Sequence, residues 1–208
     1  MLLPTAFIGI VIISALIFTY FNRITEQRTD AANQTDLFIQ QVLKGRISAY
    51  QFLRSPDEAK AKIVKDDFEL LNNHVLDLKS KLSIQENINL CDSIVNESKN
   101  YMKNFDELAQ KRIPEYKNGI EKETPEILTV IKQISEIGLN LEKQLKQINT
   151  NATEAKKDAV NTMDIVLIAI AIVAIIFFLS FSLLLSNQLI ATINNFQKGL
   201  LSFFGYLN

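Results

Sequence analysis

The chain has 208 residues, of which 48% are hydrophobic, and its formal net charge is −1. Binding to nucleic acid requires a basic surface that neutralises phosphates, so this charge balance argues against a nucleic-acid partner. With one cysteine and one histidine, an internal disulfide and a metal centre of the usual Cys/His type are excluded. Because no catalytic set, Gly-rich phosphate loop or convergent carboxylate pair stands out, we expect neither an enzyme nor a cofactor.

The charged residues are confined to the middle of the chain. Every acidic residue, and every basic residue except Lys198, lies between Asn22 and Asp164. The flanking segments 1–21 and 165–185 are uncharged and apolar, and helices of about 20 residues match the ~30 Å hydrocarbon core of a bilayer. We therefore expect two transmembrane helices in contact with membrane lipid.

The first apolar segment resembles an anchor more than a signal peptide. It lacks a basic n-region, and no small-x-small cleavage site follows it. The charge distribution does not fix the orientation in the membrane, because the middle segment is long and only Lys198 follows the second span.

The middle segment, residues 22–164, is predicted to form four helices. It contains few helix breakers, and Ser55, Ser83 and Thr124 are the expected N-caps of the second, third and fourth helices. Short connections favour antiparallel neighbours, so the expected fold is all-α, an antiparallel up-down four-helix bundle. Without breakers at either junction, the bundle is expected to be continuous with both transmembrane helices. The expected helices cover residues 22–54, 56–82, 84–112 and 125–164, with a loop between the last two.

Each helix carries a row of apolar residues in steps of four and three, the pattern of left-handed supercoiled packing. We expect these rows to form the core, with Cys91 inside it. The predicted rows are Ile39, Val42, Arg46, Ala49 and Leu53; Val64, Leu71, Val75, Leu78 and Leu82; Ile84, Ile88, Cys91, Val95, Ser98, Met102, Phe105 and Ala109; and Ile127, Ile131, Ile134, Gly138, Leu141, Leu145, Ile148, Ala152, Ala155, Ala159 and Thr162.

Arg46 is the one charged member of these rows, and it suggests a ligand site. A charge on an apolar face is costly unless it is paired. Tyr50 and Arg54 follow in steps of four, so the three side chains project near one face. Two guanidinium groups there could bind a small anionic ligand, such as an amino acid or an organic acid, through bidentate hydrogen bonds. Alternatively, Arg46 extends to solvent or pairs with a glutamate of a neighbouring helix.

Residues 186–208 resume the apolar repeat after the second span. The segment is expected to begin a signalling helix that packs in parallel with a second copy of the chain. The alternative, an amphipathic helix on the membrane surface, usually requires more basic residues than Lys198 alone. The expected dimer-helix residues are Leu189, Ile193, Phe196, Leu200, Phe203 and Leu207.

Two spans, a four-helix extracytoplasmic bundle and the exit segment INNFQKGLLSFFGYLN together resemble the input half of a bacterial methyl-accepting chemotaxis receptor. The stretch FQKGLLSFFGYLN is similar to the segment after the second span in such receptors from Asn/Lys-rich genomes. This resemblance implies a homodimeric chemoreceptor of the bacterial inner membrane that senses an extracellular small molecule. It also implies a cytoplasmic N-terminus and a periplasmic segment 22–164.

The chain departs from that family after the second span. The Pro-containing relay helix, the Gly-Asp-Leu motif, the methylation helices and the kinase-docking tip are absent. We therefore expect a truncated receptor, linked to the chemotaxis kinase and adaptor only through a cytoplasmic region missing from this chain. Two other interpretations stay open: the input half of a sensor histidine kinase or cyclic-dinucleotide enzyme, and a membrane-tethered structural coiled-coil protein.

Overall fold

A computed structural model describes the backbone of residues 2–206 and the side chains of residues 5–202. Within that range the chain is all-α, which confirms the predicted fold class, and it contains no strand. The helices are α1 (Leu2–Arg54), α2 (Glu58–Lys81), α3 (Gln85–Lys117) and α4 (Pro125–Tyr206).

The internal contacts divide the chain into two compact units. One unit contains the two ends of the chain, up to Phe21 and from Val160, and the other contains Asn22–Ala159. Two helices, α1 and α4, are long and apolar enough to cross a membrane. The large apolar side chains described between residues 165 and 185 are mostly exposed, as expected for side chains that face lipid.

In the 22–159 unit, each helix buries one row of residues in steps of four and three. The predicted row of α4 is confirmed from Ile127 to Ala159, where its members are buried or partly buried, but its last member, Thr162, is exposed. The row of α2 begins earlier than predicted, at Ala61, and it includes buried Phe68, which the predicted row omits. Together the four rows form a single hydrophobic cluster.

All members of the predicted rows of α1 and α3 are buried or partly buried, but both rows omit several buried residues. The buried row of α1 includes Thr35 and Gly45, and that of α3 includes Asn87, Ser98 and Arg112. A search for apolar residues does not find Thr35, Asn87 or Arg112, whereas Ser98 belongs to both the predicted and the buried row. The buried rows are Ala31, Thr35, Phe38, Val42, Gly45, Ala49 and Phe52 in α1, and Asn87, Cys91, Ile94, Ser98, Tyr101, Phe105, Leu108 and Arg112 in α3.

Contacts between the helices pair residues in opposite chain order. Between α1 and α2, His74 lies against Gln41, and Ser48 Oγ donates to Asp67 Oδ2 at 3.0 Å. Between α3 and α4, Asn151 Nδ2 donates to Asn87 Oδ1 at 2.9 Å. Ion pairs continue the opposite order at other positions, namely Lys79 with Asp92, Lys65 with Asp106, and Lys111 with Glu126.

The helix starts differ from the prediction at two of three positions. Asp57, not Ser55, is the N-cap of α2, because its carboxylate accepts the Lys60 backbone N–H at 2.7 Å. The N-cap of α3 is Ile84, which makes no side-chain capping bond, so the expected cap at Ser83 is wrong. The cap of α4 is confirmed, since Thr124 Oγ1 accepts the Ile127 N–H at 3.4 Å.

Helix α3 is longer than predicted and passes through Pro114 to Lys117. Buried Arg112 explains this extension, since its guanidinium donates to the carbonyl oxygens of Ile120 and Glu121 at 2.8 and 2.6 Å. These bonds hold the following loop against the last turns of the helix. Gly119 completes the reversal with φ of +79°, a value that favours glycine.

Gly45→Ala should destabilise the 22–159 unit. A Cβ at this position would lie 2.7 Å from Phe68 Cε2, and the Phe68 ring is buried and stacked on Tyr101 at 3.9 Å. Overpacking costs up to about 3 kcal/mol, and the higher helix propensity of alanine contributes about 1 kcal/mol in the opposite direction. The free energy of unfolding should therefore fall by about 1–2 kcal/mol.

Buried Cys91 supplies the measurement, because burial raises the pKa of its thiol to about 11 and suppresses the reactive thiolate. In the detergent-solubilised chain, Gly45→Ala should raise the Cys91 alkylation rate by about 5- to 30-fold. The control is Gly199→Ala, where an added Cβ meets nothing within 4 Å. Equal alkylation rates for Gly45→Ala and the parent would refute the close contact.

Candidate functional site

A cleft of about 400 Å³ opens between α1 and α4 in the 22–159 unit. Its lining is largely apolar, with a few polar groups, which is the usual character of a small-molecule site. The lining residues are Leu43, Arg46, Ile47, Ala49, Tyr50 and Leu53 of α1, Tyr101 of α3, and Ile131, Ile134 and Ser135 of α4.

Arg46 lies at the edge of the buried row of α1, and its side chain is 29% exposed. Its Nη1 donates to Glu142 Oε1 of α4. The aliphatic part of the side chain crosses the backbone of α4 at Gly138, where an added Cβ would lie 2.9 Å from Arg46 Cδ. Arg46 thus pairs with a glutamate of a neighbouring helix, as the alternative interpretation of this residue predicts.

The structure brings together two of the three predicted ligand-binding residues. Tyr50 lines the cleft beside Arg46, with 65% of its surface exposed. Arg54 is the last residue of α1, and it is not among the residues that line the cleft.

Tyr101 and Glu142 are site residues that the sequence did not indicate. Tyr101 is 1% exposed, and burial raises the pKa of its phenol, while the nearby Arg46 charge opposes that rise. A row of Ser98, Tyr101 and Phe105 in steps of three and four was the available signal for a buried tyrosine. Nothing in the sequence indicates that Glu142 would meet Arg46, because that contact depends on how two helices align.

The predicted dimer helix is solvent-exposed over its described part. Leu189, Ile193, Phe196 and Leu200 are between 42% and 69% exposed on α4. The side chain of Phe203 and the whole of Leu207 lie outside the described residues. Four exposed apolar side chains in steps of four and three leave a surface that a second helix could cover.

Comparison with protein-family models, curated proteins and solved structures finds no match for this chain. Within residues 5–202, no group of three or more His, Cys, Asp or Glu side chains could hold a metal ion.

The Arg46–Glu142 pair should contribute measurably to the stability of the unit. Both side chains are largely buried, so removal of one partner leaves the other charge without compensation. In a double-mutant cycle of Arg46→Met, Glu142→Gln and the double variant, we expect a coupling free energy of about 1–3 kcal/mol. Chemical unfolding followed by circular dichroism measures it. The exposed pair Lys62–Asp66 is the control, and a surface pair of this kind contributes well under about 1 kcal/mol. Equal coupling for the two pairs would contradict the buried contact.

Proposed function

We propose that this chain is the input half of a bacterial chemoreceptor. The observation that carries the proposal is the placement, along the chain, of two membrane-length apolar helical stretches on either side of a four-helix packed unit. In this proposal the 22–159 unit lies in the periplasm and senses a small molecule. The residues after the second span lie in the cytoplasm, and the chain is a receptor component without enzymatic activity of its own.

The fold assigned in this proposal is an antiparallel up-down four-helix bundle joined to two transmembrane helices. The opposite chain order of the contacts between α1 and α2, between α2 and α3, and between α3 and α4 supports the antiparallel arrangement. Support for the junctions comes from the helix bounds, since α1 and α4 each contribute residues to both units.

The proposed receptor is a homodimer that pairs through the exposed row of α4. Burial of apolar side chains contributes about 25 cal/mol per Å² removed from water, so the row from Leu189 to Leu200 favours a covered state. Lys198 is the only charge near this row, and it leaves little repulsion between two parallel copies. A cytoplasmic kinase-control region would continue this helix pair.

The proposed ligand is a small organic anion, an amino acid or an organic acid, bound in the cleft by Arg46 and Tyr50. Arginine has five N–H donors, and the Nη1 bond to Glu142 uses one of them. The rest of the guanidinium can bind a carboxylate, and the exposed phenol of Tyr50 can donate a further hydrogen bond. The largely apolar cleft then takes the carbon skeleton of the ligand.

Single cysteines at two positions test both topology and dimer formation. In a chain with Cys91→Ala, a cysteine replacing Ser83 should react with an impermeant maleimide added to intact cells. A cysteine replacing Phe196 should be protected until the cells are opened, and should cross-link to its twin under mild oxidation. The opposite labelling pattern excludes the receptor proposal, and labelling as proposed without a cross-link excludes the dimer.

A thermal-shift screen tests the ligand. A ligand that binds only the folded state at 100 times its dissociation constant should stabilise the detergent-solubilised chain by about 2.7 kcal/mol. We expect a rise in Tm with amino acids or organic acids.

Variants of the first helix separate binding from stability in that screen. Arg46→Ala should abolish the carboxylate shift while helicity is kept, whereas Arg54→Ala, outside the cleft, should preserve it. If no carboxylate shifts Tm, or Arg46→Ala responds as the parent does, the arginine is structural. That result would favour the interpretation as a membrane-tethered structural coiled-coil protein.

A further inference from the structure

A second groove lies between α2 and α3, and it shares no residue with the cleft between α1 and α4. Its volume of about 720 Å³ falls within the range of small-molecule sites. Two of its lining residues, Asn72 and Val95, are each 7% exposed, and partly buried Met102 lies beside them. Charged residues from both helices complete the lining.

Asn72 is the unusual residue of this groove, because its Oδ1 atom is buried and accepts no hydrogen bond. A buried acceptor without a partner costs about 1–3 kcal/mol. Asp67, five residues earlier on the same helix, is also 7% exposed, but Lys44 and Ser48 donate to its two carboxylate oxygens at 2.7 and 3.0 Å. The unit therefore satisfies one buried polar side chain of α2 and leaves the other incomplete.

The amide of Asn72 can serve as a donor or an acceptor toward the groove. The χ2 torsion of asparagine is broad, and a half-turn exchanges Oδ1 and Nδ2 between the groove and the interior. A hydroxyl group both donates and accepts, so it can pair with whichever of the two amide atoms faces the groove. A carboxylate, which only accepts, cannot satisfy Oδ1.

The charges of the groove balance, which disfavours a strongly charged ligand. Three lysines and three carboxylates line it, and one of each, Lys65 and Asp106, already pair across it. On α3, Lys99 and Lys103 lie one turn apart and form no ion pair among the described side chains. Like charges at this spacing repel each other, so a ligand oxygen between them would be stabilising.

We propose that this groove binds a small neutral polyol of about monosaccharide size. One hydroxyl group pairs with the amide atom of Asn72 that faces the groove, and others accept from the ammonium groups of Lys99 and Lys103. Glu69 on the α2 side accepts from a further hydroxyl, and Val95 contacts the C–H face of the molecule. This second site uses α2 and α3 alone, and it does not depend on the chemoreceptor proposal.

One substitution distinguishes a ligand-binding role of Asn72 from a packing role. Asn72→Leu replaces the amide with an apolar group of similar size, so it should leave Tm unchanged or raise it. The same change should weaken polyol binding at least tenfold. A residue that only packs would lose stability without any effect on binding.

The experiment uses the full chain in phospholipid nanodiscs. Saturation-transfer NMR with D-glucose, D-galactose, D-ribose and glycerol detects binding, and titration gives the dissociation constant. The matched control is Asn96→Leu, the same change at an exposed position outside the groove. This control should bind the probe as the parent does, and Arg46→Ala should also have no effect.

Each outcome decides the proposal. Absence of signal from all four probes, or equal binding by Asn72→Leu and the parent, overturns it. If Asn72→Leu does not fold, Lys99→Gln is the second variant, and it should weaken binding severalfold. Binding of succinate in place of the sugars, abolished by Lys99→Gln, would identify an anion site and also overturn the proposal.

Discussion

Four buried rows of side chains, one from each helix, determine the geometry of the 22–159 unit. Each row repeats in steps of four and three, so the side chains of one helix can enter spaces between those of its neighbours along the whole length. One contact joins three helices, because the Phe68 ring of α2 lies over Gly45 of α1 and stacks on Tyr101 of α3. Phe52 and Phe105 form a second aromatic contact, with ring centroids 5.1 Å apart. A shift of α1 or α3 along its axis would disturb both contacts at once.

Much of this arrangement could be predicted from the sequence wherever the core consists of apolar residues. The row of α4 is apolar from Ile127 to Ala159 apart from Gly138, and its phase was therefore clear. In α1 and α3 the buried row contains Thr35, Asn87 and Arg112, which a search for apolar residues does not find, so the predicted rows coincide with the buried rows only in part. Hydrophobic periodicity gives the period of a helix reliably, but its phase only where core residues are apolar.

The candidate site was predictable only in its local part. Arg46 and Tyr50 share a helix, so their spacing alone placed them near one face. The other members, Tyr101 and Glu142, lie on different helices, and their contacts depend on how far each helix is displaced along its neighbour. Pro114 illustrates the same limit in a loop, because tertiary bonds from Arg112 extend the helix past a residue that usually ends one.

The two connections at opposite ends of α3 differ in how firmly they are held. Residues 118–124 are bound to the core through Arg112, whose 1% exposure places its charge within the folded interior. The connection 82–84 contains exposed Ser83, and α3 begins there without a side-chain cap. Foreign segments such as epitope tags or whole small domains are tolerated where exposed backbone makes few bonds. The short connection before α3 is therefore the better point of attachment, although the connection after α3 is longer.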